Sequence, residues 1–284
     1  GLTPCDKRRD EYFSMKVFDK AQNKEVTWAP TNANGYFTGD SIPLKAAFAR
    51  SINSVAVRLG QEMGITRIAE TAHKMGIESP LDETPALALG SSDINLLELA
   101  NAYSTVANDG KYVKRVLVTR IVDRNGKEVY KAPLNEEQVI PYKSAFLMQQ
   151  MLMGGTREPG GTSMSLNGYV GNFRDTDWGG KTGTSNNHSD AWFMGFTPQL
   201  VSGCWVGGEE RDIHFDSMSM GQGATMALPI WAIFMKKVYA DASLGYSPEV
   251  KFDIPADYNP CYHVGSGGEQ DDFEQVDAID EVFE

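Results

Sequence analysis

Residues 178–187 read WGGKTGTSNN, and two structures compete for them. A Gly-Lys-Thr triplet ends the phosphate-binding loop, which needs a glycine five positions before Gly180 and a helix directly after Thr182. Position 175 is Asp, and Gly183-Thr-Ser-Asn-Asn187 is poor helix sequence. The stretch therefore reads as a strand. Its period of two puts Thr182 and Thr184 on one face. Gly183, without a side chain, lets a second chain lie close. An edge strand of this kind can pair with an extended peptide while the hydroxyls and the Lys181 ammonium take an anionic end such as a carboxylate. Strict alternation sends Lys181 to the other face, so it must curl back or the strand must twist. Taken alone, the triplet reads first as an exposed lysine on a Gly-rich edge strand.

Around it the last third of the chain is strand-rich. WGGKTGTS, DAWFMGFTP and LVSGCWVGG are short runs with alternation, followed by a helix in ATMALPIWAIFMKKVYAD with Ala227, Ile230, Trp231, Phe234 and Val238 on one face. The earlier chain is helical. A helix opens near Pro43 and breaks near Ser51. A second carries Ile52, Val55, Ala56, Leu59 and Met63, and ITRIAETAHKMG forms a third, ended by Gly76. A fourth runs from about Asn95 to Asn108, capped by Ser92 or Asp93, and a fifth lies near 142–153, before the Gly-rich GGTREPGGTSMSLNG. A hairpin turns at Asn125-Gly126, and residues 1–40 read as irregular. Helices early and antiparallel strands late give an α+β fold, an antiparallel sheet covered by helices.

Composition bounds the chemistry. A chain of 284 residues can bury a full core, and the net charge of −12 disfavours a nucleic-acid groove. From Glu269 onward there are eight acids and no base, which reads as a solvated, disordered tail over 265–284. Residues 1–264 form one folded unit. No apolar run spans a bilayer and the start has no signal-peptide shape. Cys5, Cys204 and Cys261 lack metal-ligand spacing, and Cys5 and Cys261 can pair in an oxidising compartment. The four histidines are scattered, so neither a metal nor a cofactor is expected. Asp175 and Asp177 read as loop charges, and Trp192 and Trp205 as sheet packing.

Lys-Thr-Gly is one of three marks shared by penicillin-binding proteins and class A β-lactamases, with Ser-x-x-Lys and Ser-Asp-Asn. Ser51-Ile52-Asn53, at the joint between two helices, resembles the last with Ile for Asp, although Ser51 can equally cap the following helix. With WAPTN at 28–32, ARSINSVAVRL at 49–59, ALALGSSDINLLELANAYSTVANDG at 86–110, GGKTGTSNNHSDAWFMGFTPQLVSGCWVGG at 179–208 and GQGATMALPIW at 221–231, the chain resembles the transpeptidase domain of a class A penicillin-binding protein, a bifunctional peptidoglycan synthase.

The resemblance implies a penicillin-binding-protein and serine β-lactamase-like fold. It implies serine acyl transfer between peptidoglycan stem peptides ending in D-Ala-D-Ala, with β-lactams as inhibitors. Ser51 relays a proton. Asn53 holds the substrate amide. Lys181 biases the Ser51 proton and attracts the terminal carboxylate. Thr182, Gly183 and Thr184 bind that carboxylate, and the Thr184 N–H is an oxyanion donor. It also implies a membrane-anchored, extracytoplasmic protein acting in cell-wall synthesis and cell shape. No serine here has a lysine three residues later, so the nucleophile is expected upstream of Gly1 and the chain alone is expected to be inactive. The alternatives are a non-catalytic binding domain of the same fold, using the 154–168 loop for partner contact, and a related D,D-carboxypeptidase or β-lactamase.

Overall fold

The computed structural model describes residues 2–19, 22–169 and 176–256. Its strands are β1 (Lys7–Arg9), β2 (Met15–Asp19), β3 (Lys24–Trp28), β4 (Ser41–Pro43), β5 (Lys111–Val113), β6 (Arg120–Val122), β7 (Glu128–Lys131), β8 (Glu136–Gln138), β9 (Gly179–Thr184), β10 (Asp190–Phe196) and β11 (Val201–Gly207). Its α-helices are α1 (Leu44–Ala49), α2 (Asn53–Met63), α3 (Ile65–Lys74), α4 (Leu96–Ala107), α5 (Tyr142–Arg157), α6 (Met218–Gly221) and α7 (Ala227–Ala240).

The main sheet is antiparallel in the order β11-β10-β9, with Phe193 opposite both Thr182 and Cys204. Period two alone would leave one face of β10 to water. Instead Ala191, Phe193, Met194 and Phe196 are all buried, because helices cover both faces. On one side α7 supplies Trp231, whose ring meets Phe193 edge-on with centroids 5.1 Å apart and stacks on Trp178 at 6.5 Å. On the other, Leu152 and Met153 of α5 and Val106 of α4 pack with Phe196 and Phe252. An aromatic pair of this kind adds about 0.5–1.5 kcal/mol beyond its buried area. Trp192 and Trp205 lie side by side on neighbouring strands, centroids 6.3 Å apart, as packing residues.

Several elements depart from the sequence expectation. The first forty residues are only partly irregular: β2 and β3 form a hairpin and β1 pairs with β4, while 29–40 runs without helix or strand, as expected. Their alternation is hard to see because the segment is largely polar and the strands bury little. Helix α5 runs through Gly154-Gly155 to Arg157, where tertiary packing overrides glycine's poor helix propensity. Asn95, not Ser92 or Asp93, caps α4 by accepting the Leu97 N–H at 2.8 Å. The buried face of α7 is Ala227, Leu228, Trp231, Ala232, Met235 and Val238, while Ile230 and Phe234 are half exposed. The helix is apolar nearly all round, so periodicity marks its face weakly. Cys5 is disulfide-bonded and Cys204 is free; Cys261 and the acidic 265–284 segment lie outside the described residues.

A buried polar cluster ties the amino-terminal segment to α2. Asp10, 1% exposed, accepts from Asn32 Nδ2 and Ser54 Oγ, each at 2.7 Å, and from the Thr38 N–H at 3.0 Å. Asn32 Oδ1 in turn accepts the Ser54 N–H at 3.2 Å. Burial pushes the Asp10 carboxyl up, but the hydrogen bonds from Thr38, Ser54 and Asn32 together outweigh it, and its pKa lies below the ordinary carboxylate value. This cluster locks the start of α2, and with it the joint before it.

That joint is a helix stop of a particular kind. Ile52 N–H donates to Ala47 O at 3.0 Å and Ser51 N–H to Phe48 O at 3.1 Å, the paired bonds of a Schellman motif. Ser51 occupies the left-handed position, φ +54°, where glycine is the usual residue. A side chain there costs about 1 kcal/mol, so the hydroxyl is held at some expense to stability. Replacing Ser51 with Gly should therefore leave the protein about 1 kcal/mol more stable than replacing it with Ala. Urea unfolding of the two variants checks this; equal midpoints would mean that the backbone at 51 is unstrained.

Candidate active site

The left-handed turn at Ser51 aims its side chain at β9, 130 residues away in sequence. There Lys181 Nζ hydrogen-bonds Ser51 Oγ and also donates to its neighbour's carbonyl, Thr182 O, at 3.0 Å. The second bond shows how the lysine escapes strict alternation: its chain curls back over its own strand. The Phe48 ring of α1 lies 6.0 Å from the ammonium. Burial lowers the Lys181 pKa from 10.5 to about 8, so the group is still mostly charged near neutrality.

Thr182 and Thr184 both lie on β9. Thr182 is partly buried and its Oγ1 is 2.8 Å from Thr162 Oγ1. Thr184 is exposed, and its Oγ1 accepts the Gly223 N–H at 3.1 Å. Gly183 pairs with Trp192 of β10. The opposite edge of β9 pairs with no strand among the described residues. Asn53 opens α2, and its Nδ2 donates to Thr31 O at 2.8 Å, which ties it to the Trp28–Asn32 stretch. The structure thus brings Ser51 onto Lys181, holds Asn53 two residues from Ser51, and leaves the strand bearing Lys181-Thr-Gly-Thr184 as a sheet edge.

This arrangement suits proton movement beside an anion site. A lysine near its pKa at neutral pH, bonded to a serine hydroxyl, can shift a proton either way along that bond. Two threonine hydroxyls and an ammonium along an open strand can grip a carboxylate. Among the described residues no group of three or more His, Cys, Asp or Glu is placed to hold a metal ion. His188 stands in the β9–β10 loop at φ +59°, with a buried Nδ1 that has no hydrogen-bond partner among the described residues. Asp177 pairs with Arg157 at 3.4 Å and accepts the Phe252 N–H at 3.2 Å, so it acts as a bracket; Asp175 lies outside the described residues.

The sequence reading missed the residues that hold this site together. Asp10, Asn32 and Ser54 lock the Ser51 joint from behind. Thr162 touches Thr182, and Gly223 touches Thr184. None carries a local signal. The Gly-Gly-Thr run at 160–162 was legible only as a loop, although two adjacent glycines before a threonine mark a place where backbones meet closely.

Residues 9–203 match the family model described as penicillin binding protein transpeptidase domain. Penicillin-binding protein 2D of Bacillus subtilis is 31% identical over 269 residues, covering 92% of this chain and 36% of that protein. Penicillin-binding protein 1A of Aquifex aeolicus is 32% identical over 250 residues, covering 87% and 32%. Among solved structures, penicillin-binding protein 1A from Haemophilus influenzae superposes with a TM-score of 0.77 at 27% identity, over 90% of this chain and 41% of that one. PonA1 from Mycobacterium tuberculosis in complex with penicillin V superposes at 0.64, with 24% identity, over 81% and 63%. The chain spans about a third of the length of the curated relatives it matches. With the Ser51–Lys181 contact and the Lys-Thr-Gly edge strand in place, the chain belongs to the penicillin-binding protein transpeptidase domain family, in its class A branch.

Proposed function

We propose that residues 1–264 carry the proton-relay and carboxylate-binding part of a D,D-transpeptidase site that cross-links peptidoglycan stem peptides. The observation that supports it most is the hydrogen bond from Lys181 to Ser51, which brings two of the family's three motifs together. The third, Ser-x-x-Lys, is absent from this sequence, so the nucleophile is assigned to polypeptide outside it.

In this reading a stem peptide ending in D-Ala-D-Ala lies along the free edge of β9. Its terminal carboxylate meets Thr182, Thr184 and the Lys181 ammonium. Asn53 receives the preceding amide. The nucleophilic serine attacks the carbonyl between the two D-alanines, the C–N bond breaks, and the serine's proton reaches the departing amine through Ser51. An amine of a second stem peptide then attacks the ester and frees the serine, which regains a proton by the same route. The Thr184 N–H is one donor to the oxyanion. A β-lactam enters by the same carboxylate contacts and acylates the same serine. The complete protein is proposed to act outside the cytoplasm, anchored to the membrane and joined to a glycosyltransferase. No helix among the described residues is itself long and apolar enough to cross a membrane.

The 284-residue chain by itself should form no covalent adduct with a fluorescent penicillin, whereas the complete gene product should be labelled. A labelled band at the mass of this chain would refute the assignment of the nucleophile. In the complete protein, labelling should weaken as the pH rises through about 8, because the Lys181 ammonium that attracts the carboxylate is lost there. The same depressed pKa makes folding more favourable as pH rises between about 8 and 10.5, where the unfolded chain still holds the proton. Loss of labelling on the alkaline side therefore reflects the site and not unfolding from this group. A rate that stays level from pH 7 to 10 would remove the charge of Lys181 from the mechanism.

A further inference from the structure

The two hydroxyls on β9 are held differently, and the difference has chemical content. Thr184 Oγ1 accepts from a backbone N–H, that of Gly223, at 3.1 Å. A backbone N–H only donates, so this bond uses a lone pair and leaves the Thr184 proton free for a ligand. A Cβ on Gly223 would sit 2.3 Å from Trp192 O and 2.5 Å from Gly183 O, so only glycine brings that N–H so close. Thr182 instead donates to another hydroxyl, Thr162 Oγ1 at 2.8 Å, and a hydroxyl acceptor keeps a proton of its own to give.

Thr162 is itself fixed from several sides. Its N–H donates to Ala49 O at 2.9 Å, two residues before Ser51. The next residue's N–H donates to Gly155 O of α5 at 3.1 Å. Arg50 Nε donates to Pro159 O at 2.9 Å. A Cβ on Gly161 would lie 2.3 Å from Gly155 O, so the segment runs flush against α5. Thr162 is therefore clasped between the end of α1, which leads into the Ser51 joint, and β9.

We propose that Thr162 is a positioning residue that sets the proton of Thr182. With the site empty, Thr182 can donate to Thr162. When a carboxylate arrives, Thr182 turns its proton to the ligand, and Thr162 reverses its role and donates to Thr182. The carboxylate then faces two donating hydroxyls, each backed by a donor behind it: Gly223 N–H behind Thr184, and Thr162 O–H behind Thr182. No bond to the ligand is made by Thr162 itself. This rests on the reading of β9 as the carboxylate site.

The test is steady-state release of D-alanine from a D-Ala-D-Ala-ended peptide by the complete gene product. Thr162→Val keeps the shape and the backbone bond to Ala49 but removes the hydroxyl. It should raise KM about three- to tenfold with kcat within about twofold, the size expected for one hydrogen bond. Thr162→Ser should restore the wild-type KM, and in a Thr182→Val background Thr162→Val should change nothing further. Thr162→Ala, which cannot clash, should repeat the Thr162→Val result if that variant folds poorly. An unchanged KM, a loss confined to kcat, or a defect that serine fails to rescue would each overturn the proposal. A wild-type protein that releases no D-alanine would instead refute the functional reading beneath it.

Discussion

One hydrogen bond spans the molecule's two halves: the one between Lys181 on β9 and Ser51 at the end of α1. It constrains both partners. The lysine must fold back over its own strand, away from the position that alternation gives it. The serine must stand where a helix stop prefers glycine. Each distortion opposes local preference, and each is tolerated because the surrounding structure leaves no relaxed alternative. Cost concentrated at a chemically active pair is a common pattern, since a strained backbone position persists only when its neighbours over-determine it.

The neighbours here can be named. Behind the serine, the buried Asp10 gathers donors from the buried Asn32 and Ser54 and from Thr38 at the surface. A buried carboxylate with so many partners is costly to disturb, because removing any one leaves another group unsatisfied. Beside the serine, the 159–163 segment binds α1 through Ala49 O and Arg50, and α5 through Gly155 O. Beneath the lysine, β10 is buried on both faces by Trp231 on one side and Leu152, Met153 and Phe252 on the other. The Ser51–Lys181 pair is thus held by packed elements on each side, which is what fixes a proton relay to within hydrogen-bonding distance.

How much of this was legible follows from which interactions leave a mark on nearby residues. The strand at 179–184 and the helix break at Ser51 were legible, because alternation, glycine placement and helical stripes are local. The resemblance in motif order then joined Ser51, Asn53 and Lys181 across the chain. The hairpin of β2 and β3 was not legible, since both strands are five residues long and none of their residues is fully buried. The buried face of α7 was misjudged for the opposite reason: too many apolar residues leave no single stripe, and Ile230 and Phe234 are half exposed. Asp10 and Thr162 were invisible, because each acts through partners 20 or more residues distant, and nothing in their immediate sequence announces that.

The central claim is that Ser51 and Lys181 act as one unit. A double-mutant cycle on the complete gene product, reading the rate of acylation by a fluorescent penicillin with Ser51→Ala, Lys181→Met and both together, tests it most directly. Two residues sharing one proton path should couple strongly, so the double variant should react no more slowly than the slower single. If the two losses instead multiply, as for independent sites, the contact seen between them carries no function.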